Sequence, residues 1–286
     1  MNNKINIVNL LINNIATEPN IVTEPNIVTE PNIVTEPNIV TEPNIVTEPN
    51  IVTESNIVTE PNIVTEPNEP INHKLKLNEL HKKLKLNNGN FREEYQEQEM
   101  SVLYIKPHNI VLEIGGNIGR NSCIIASLLN DSNNLLVFES DPDNAAKLKE
   151  NCDLNNLKFN IEDCAISKTE LLQKEWITKH KDLINNNELQ YWKPIKTMSW
   201  LQIKNKYKII FDTLVADCEG ALYYILKEEP KFLENFKTII IENDFYDIEH
   251  KQFVDNEFKR FNFKIDYTKS GGFGPCYNNF YEVWNK

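Results

Sequence analysis

A cluster of glycines follows a short apolar run near the middle of the chain. The run ends in Glu113-Ile114, and Gly115-Gly116-Asn117-Ile118-Gly119 comes directly after it. Glycine lets the backbone approach a ligand closely, and the free N–H groups at the start of a helix favour polar or anionic groups. The spacing G-G-x-x-G is one glycine short of the G-x-G-x-x-G pyrophosphate fingerprint. The segment therefore predicts a ligand-binding loop of the nucleotide type.

A carboxylate, Glu139, stands 24 positions after Gly115, at the end of the apolar run 135–138. In dinucleotide-binding folds an acid near this place hydrogen-bonds the ribose of the ligand. We therefore expect Glu139 to contact a ribose. The alternative is a solvated carboxylate at the end of a strand.

Strands and helices must alternate to place these residues. Apolar runs predict buried strands at 110–114, 135–138, 158–162, 209–216 and 238–241, and two last strands at 263–267 and 280–284. Helical spacing relates Ile124, Ile125, Leu128 and Leu129 after the glycines, and Ala145, Leu148 and Cys152 after an Asp141-Pro142 cap. A further helix is predicted at 248–261. The pattern indicates an α/β fold with a mostly parallel sheet.

Three acids stand where predicted central strands end. Asp217 and Glu219 follow the run 209–216, and Glu242 follows 238–241. Open α/β sheets bind ligands at the carboxyl ends of their strands, so these acids are candidates for chemistry. The polar segment 171–200, with Tyr191-Trp192, fits an insertion that covers an acceptor.

Four ordered motifs resemble those of the FkbM-type S-adenosylmethionine-dependent methyltransferases. They are Glu113-Ile-Gly-Gly-Asn-Ile-Gly119, Phe138-Glu139-Ser-Asp-Pro142, Leu148-Lys-Glu-Asn151 with Asn155-Asn156, and Asp217-Cys-Glu-Gly220. The resemblance covers roughly Tyr95 to Trp284. The family usually has Asp in place of Glu113, Ala in place of Gly116, and a carboxylate in place of Leu222.

The resemblance implies a Rossmann-like class I methyltransferase fold, in which a mostly parallel seven-stranded sheet ends in an antiparallel hairpin. It implies S-adenosylmethionine as cofactor, with adenine near Asp163 unless that residue only caps a loop. The cofactor-binding residues then are Glu113, Gly115, Gly116, Asn117, Gly119, Glu139, Ser140, Asp163 and Cys164. The acceptor that it implies is a hydroxyl of a saccharide or another small molecule.

Asp217, Glu219 and Glu242 are the candidate catalytic residues. The positive charge of the sulfonium disperses in the transition state, so a carboxylate against the sulfur would favour the ground state, and acids should contact the periphery of the donor. Asp217 is expected on the acceptor side or at the methionine amino group, and Glu242 is a weaker candidate for the same neighbourhood. Glu219 either lies in the same neighbourhood as Asp217 or caps the following helix. No His, Cys or Asp spacing indicates a metal centre.

Three other functions stay open at this point. A nucleic-acid methyltransferase is less favoured, because the domain lacks a dense basic stripe with interleaved aromatic residues. An NAD-type oxidoreductase would use a similar glycine loop. A non-catalytic protein would instead bind a protein partner through its repeats.

The first 70 residues have a composition of their own. Of the net charge of −12, most belongs to this segment, which has ten Glu and one basic residue, Lys4. Thr17 to Val64 is eight consecutive copies of T-E-P-N-I-V, with Ser55 in place of one proline. Regular proline prevents a continuous helix, and one Ile-Val pair per copy buries little, so an extended, disordered tail is predicted. Its role is a spacer, a multivalent binding segment, or none.

The predicted organisation is an N-terminal tail at 1–16, repeats at 17–70, a basic amphipathic helix and linker at 71–90, and the methyltransferase domain at 91–286. The aliphatic cluster in 1–16 is too short to span a bilayer and lacks a cleavage pattern. Five cysteines without paired spacing predict free thiols and a cytoplasmic location. The basic helix is expected to cap the domain; nucleic acid, an anionic membrane or the acidic tail are alternative partners.

Overall fold

A computed structural model describes residues 69–175 and 177–286. The predictions for the N-terminal tail and the repeats lie outside the described residues. The helices are α1 (Glu69–Lys83), α2 (Tyr95–Tyr104), α3 (Arg120–Leu128), α4 (Pro142–Leu154), α5 (Trp200–Tyr207), α6 (Ala221–Glu228) and α7 (Ile248–Arg260). The strands are β1 (Val111–Ile114), β2 (Leu135–Phe138), β3 (Asn160–Glu162), β4 (Ala165–Ile166), β5 (Leu171–Lys174), β6 (Ile177–His180), β7 (Lys193–Ile195), β8 (Thr197–Met198), β9 (Thr213–Ala216), β10 (Thr238–Glu242), β11 (Lys264–Lys269) and β12 (Tyr281–Asn285).

Seven strands form the main sheet, in the order β11-β12-β10-β9-β1-β2-β3. The five strands from β10 to β3 are parallel. The last strand, β12, runs antiparallel to both β10 and β11, so β11 and β12 form a closing hairpin. The predicted fold class, a Rossmann-like, mostly parallel sheet with a C-terminal antiparallel hairpin, is confirmed.

Side chains of the central strands alternate between two apolar layers. Leu112 and Ile114 of β1 face a layer shared with α5, α6 and α7, whereas Val111 faces a layer shared with α1 to α4. Helices therefore cover both faces of the sheet, as the period-2 alternation of a strand requires. Glu113 shares the parity of Val111, so its carboxyl group enters the second layer beside the glycine turn.

One predicted strand is shorter than expected. The apolar run 209–216 reads as a strand throughout, but β9 begins only at Thr213, and Ile210 is 68% exposed. Asp212 is held beside the residues that precede β1, where its carboxylate accepts hydrogen bonds from the side chain of Asn109 and from the backbone N–H of Ile110. The prediction of a buried strand over 209–212 is wrong.

The polar segment 171–200, predicted only as an insertion, forms a small sheet of its own. Strands β5, β6 and β7 make an antiparallel sheet in the order β6-β5-β7, and β4 pairs with β8 in parallel at its base. The chain leaves the main fold after β3 and returns at α5, as expected for an insertion.

Helix α1 packs on the domain, and the linker after it is tied to Asn151 of α4 and to Asn155, the residue that follows α4. Leu77 is 0% exposed, in the layer that contains α2 and α3. The side chain of Asn155 accepts a hydrogen bond from the backbone N–H of Lys85 (2.8 Å), after the end of α1. The side chain of Asn151 accepts from the N–H of Asn87 (2.8 Å) and donates to the carbonyl of Ile118 (2.8 Å) in the glycine turn. The linker after α1 and the glycine turn therefore share one buried side chain.

Two further features concern the whole described region. All five cysteines are free, as the sequence predicts. Within residues 69–175 and 177–286, no helix combines the length and apolar character that crossing a bilayer needs.

Candidate functional site

A cleft opens at the carboxyl ends of β1, β2 and β9. It contains about 980 Å³ of space free of protein atoms, part of it continuous with solvent. Its walls are the glycine turn, the end of β2, the segment 164–167, the inner face of the insertion and the start of α6. The predicted residues that line it are Gly115, Asn117, Glu139, Ser140, Cys164, Asp217 and Glu219.

Close packing fixes the glycine turn. Gly115 has φ +89°, and a Cβ there would overlap the carbonyl oxygen of Asp217. The N–H groups of Gly115 and Gly116 both donate to the carbonyl of Phe138 at the end of β2 (2.9 and 3.1 Å). The turn is thus held between the ends of β2 and β9, and only glycine fits at position 115.

The two other glycines face the helices and not the cleft. A Cβ on Gly116 would overlap a methyl group of Val137 and approach Leu148 to 2.7 Å. Gly119 has φ +88° and precedes the first residue of α3, where it also lies against Leu148. Their absence of side chains lets α4 pack against the turn.

The carboxylate of Glu139 bridges two loops. One oxygen accepts the backbone N–H of Asn117 (2.7 Å) and the other accepts the backbone N–H of Asp141 (2.8 Å). The residue is 7% exposed, and burial raises its pKa against the opposing effect of these hydrogen bonds. A carboxylate has about four acceptor sites, so sites remain for a ligand in the cleft.

Asp163 and Cys164, predicted near adenine, lie differently. Asp163 does not line the cleft, and its side chain is paired with Lys196 on the outer surface. The cleft wall is formed instead by the next four residues, 164–167. The thiol of Cys164 is buried, and burial raises its pKa to about 12, so it stays protonated at neutral pH.

The turn after β9 brings two acids to the cleft. Glu219 and Gly220 both have positive φ, +51° and +77°. The N–H of Gly220 donates to the carboxylate of Asp244 (2.8 Å), so Asp244 caps the start of α6 and Glu219 makes no capping bond. Burial raises the pKa of both Asp217 and Glu219, and the neighbouring Asp244 raises that of Asp217 further. Glu219 is therefore the acid better able to act as a base near neutral pH.

A second cavity, here called the acidic cavity, lies behind the glycine turn. Five carboxyl groups line it: Glu94, Glu97, Glu113, Asp217 and Glu242. Gly115 and Asp217 also line the cleft, so the two spaces meet there. Glu113, Gly116 and Glu242 line only the acidic cavity, which separates Glu242 from the predicted acceptor side.

Burial dominates the ionisation of the acids in this cavity. It raises the pKa of Glu113 to about 8 and that of Glu94 to about 7, although Arg120 lowers the latter. The pKa of Glu242 is raised by burial and by its close neighbour Glu97. Several of these groups are thus protonated near neutral pH unless a cation is close.

Several residues of both cavities escaped the sequence prediction. Glu94 and Glu97 come from the segment before β1, where the sequence predicts no site residue. The insertion adds His180, which lines the cleft and hydrogen-bonds to Thr169 (2.6 Å). Glu228 of α6 accepts from Thr169 (3.0 Å) and closes this network at the rim of the cleft. Spacing could not reveal groups that only the tertiary fold brings together.

The chain is similar to known proteins only at the level of solved structures. No protein-family model matches it, and no curated protein matches it. It is similar to an O-methyltransferase from Bacillus cereus in complex with SAH (15% identity, 78% of this chain and 94% of that chain, TM-score 0.42). It is also similar to a putative O-methyltransferase from Klebsiella pneumoniae (15%, 77% and 90%, 0.41) and to a putative rRNA methylase from Clostridium thermocellum (13%, 70% and 98%, 0.42). The strand order itself defines the fold class.

Proposed function

We propose that the chain is an S-adenosylmethionine-dependent methyltransferase that acts on a hydroxyl oxygen, with a saccharide as the first choice of acceptor. The observation that carries the proposal is the position of Glu139. Its carboxylate stands at the end of β2, beside the glycine turn, and lines a cleft at the carboxyl edge of the sheet. The four motifs of FkbM type and the closing hairpin support the same class.

The cleft residues fit a nucleoside with a short charged chain. Glu139 offers its remaining acceptor sites to ribose hydroxyls, and Gly115 and Asn117 offer a floor without bulky side chains. The apolar side chains of Phe138 and Ile166 line the same space and suit a flat adenine ring. S-adenosylmethionine, when bound, supplies an electrophilic methyl group on a sulfonium sulfur.

Glu219 is the group proposed to take the proton of the acceptor hydroxyl. It lines the cleft on a turn held by Asp244, and desolvation raises its pKa above the ordinary value, which favours uptake of a proton by a general base. Asp217 is more deeply buried among acids and is proposed to orient the acceptor. A base of this kind contributes about 10² to 10⁴-fold to rate, and positioning contributes most of the rest.

An RNA acceptor is the second candidate, and one observation favours it. Lys174 lies over the ring of Tyr191 (5.6 Å) and Lys179 over that of Trp192 (5.7 Å), on the insertion that borders the cleft. Paired cations and aromatic rings are a common means of stacking unpaired bases. A saccharide can also stack on these rings, so the acceptor must be determined directly.

Calorimetric titration of the full chain with S-adenosylmethionine, S-adenosylhomocysteine and NAD tests the cofactor. We expect the first two to bind and NAD not to. Mass analysis after incubation with a methyl-labelled donor, a glycan panel and RNA then identifies the acceptor, with Glu219→Gln as the variant that keeps donor binding and loses transfer. Binding of NAD alone would contradict the proposal and indicate an oxidoreductase.

A further inference from the structure

The acidic cavity gathers carboxylates from three separate elements. Glu97 comes from α2, Asp217 follows β9, and Glu242 ends β10. Each offers one carboxylate oxygen, and these oxygens all lie within 4.8 Å of one another. Three negative groups so close together repel strongly in a partly buried space unless protons or a cation intervene.

No basic side chain in the described part of the chain forms an ion pair with Glu97, Asp217 or Glu242. Arg120, at the start of α3, is already engaged by other acids. Its guanidinium is paired with Glu93 and Glu94 at the outer end of the cavity. The centre of the cavity therefore lacks a positive charge from the protein.

A fourth carboxyl group, that of Glu113, also has an oxygen that lacks a described partner in this cavity. Glu113 is 3% exposed, lines the cavity from β1, and its Oε2 has no hydrogen-bond partner in the described region. Oε2 of Glu97 and Oε2 of Glu242 are also buried without a partner there. A buried acceptor without a partner is costly, so native proteins rarely keep three of them beside one another.

The chemistry of the ligands selects the kind of ion. All are carboxylate oxygens, which suit hard cations such as Ca²⁺, Mg²⁺ and Mn²⁺ better than Zn²⁺ or Cu²⁺, whose sites usually include nitrogen or sulfur ligands. Bonds of 2.3 to 2.6 Å put oxygens on opposite sides of Ca²⁺ about 4.6 to 5.2 Å apart, against about 4.0 to 4.2 Å for Mg²⁺. Oxygens within 4.8 Å of one another are close enough to share one ion of this kind.

We propose that the acidic cavity binds one divalent cation, with Glu97, Asp217 and Glu242 as its ligands and Glu113 as an additional acceptor for a ligand water. The cation joins α2 to the ends of β9 and β10 and holds the floor shared with the cleft. The cluster has no signature in the sequence, because its members come from positions 97, 217 and 242.

Thermal unfolding of EDTA-treated full chain, with and without added CaCl₂, MgCl₂ or MnCl₂, tests the site. At 100 times the dissociation constant a bound ion raises Tm by about 5 to 11 °C in a domain of this size. We expect one ion per chain by calorimetry, and at least tenfold weaker binding in Glu97→Gln and Glu242→Gln.

The matched control is Glu99→Gln. Glu99 is also buried on α2 but faces His73 and Lys269, outside the cavity, so its loss should leave the cation-dependent rise in Tm intact. Terbium luminescence of the unmodified chain, displaced by Ca²⁺, gives a second measurement if a variant folds poorly. The proposal fails if no ion raises Tm of the unmodified chain, or if Glu97→Gln and Glu242→Gln bind the ion as tightly as Glu99→Gln. Neither result would depend on methyl transfer.

Discussion

Replacing Glu139 separates its two roles, which are to brace two loops and to hold a ribose. The carboxylate accepts two backbone N–H groups, from Asn117 and Asp141. Glu139→Ala leaves both without an acceptor, and each unpaired buried group costs about 1 to 3 kcal/mol. Glu139→Gln keeps one carbonyl acceptor and should lose about half as much stability.

The effect on the ligand has a separate magnitude. A hydrogen bond to a charged group is worth about 1.5 to 3 kcal/mol, so loss of the ribose contact should weaken S-adenosylmethionine binding by about 10- to 150-fold. The assay is calorimetric titration, run beside denaturant unfolding of the same preparations. A 2′,3′-dideoxyribose analogue of S-adenosylhomocysteine should bind the unmodified chain weakly, but should lose little more on Glu139→Gln.

The control is Asp141→Ala in the same turn. Asp141 caps α4 by accepting the N–H groups of Asp143 and Asn144, so its removal should cost about 0.5 to 2 kcal/mol of stability with donor affinity unchanged. If both Glu139 variants lose stability but bind the donor within twofold of the unmodified chain, Glu139 is only a brace and the ribose assignment is refuted.

Three other predictions follow from the same geometry. Gly115→Ala should abolish folding or donor binding, because the added Cβ would meet the backbone of Asp217. Gly116→Ala should fold with reduced stability, because only side chains must move. Circular dichroism and calorimetric titration with the donor compare the two variants. The pKa of Glu113 is raised from 4.5 to about 8, so between these values the folded chain holds a proton that the unfolded chain releases. The free energy of unfolding should therefore fall as the pH rises from 5 to 8, by up to about 1.4 kcal/mol per pH unit. Denaturant unfolding in EDTA should show this slope in the unmodified chain and a smaller one in Glu113→Gln; equal slopes would contradict the assignment. Deleting residues 1–68 should leave donor affinity nearly unchanged, and a large drop in titration would show that the repeats contribute to the site.

The sequence predicted those parts of the fold that depend on neighbouring residues, such as apolar spacing, glycine turns and helix caps. The strand, glycine turn and helix around Gly115 follow from apolar spacing and from the backbone freedom of glycine, and the Asp141-Pro142 cap forms as expected. The run 209–212 shows the limit of this reasoning. The apolar residues there do not form a strand, and Asp212 accepts hydrogen bonds from Asn109 and Ile110, 103 and 102 positions away, which no local pattern reveals.

The candidate site was predictable only where its residues stand next to a strand end. Glu139, Asp217 and Glu219 satisfy that rule and line the cleft. Asp163 satisfies it too, but its side chain is drawn outward by Lys196, a residue 33 positions away. Glu97 belongs to a helix whose distance from the cavity depends on packing, so no spacing rule could include it.

The hydrogen bonds of Asn151 and Asn155 set the shortest fragment that can retain the nucleotide pocket. Both side chains hold backbone groups at positions 85 to 88, and Asn151 holds Ile118 at the same time. A truncation at residue 91 would strip these amides of their partners and expose the apolar surface beneath Leu77. A fragment that starts at residue 69 keeps these hydrogen bonds and the packing of Leu77, so it is the truncation expected to retain the shape of the glycine turn.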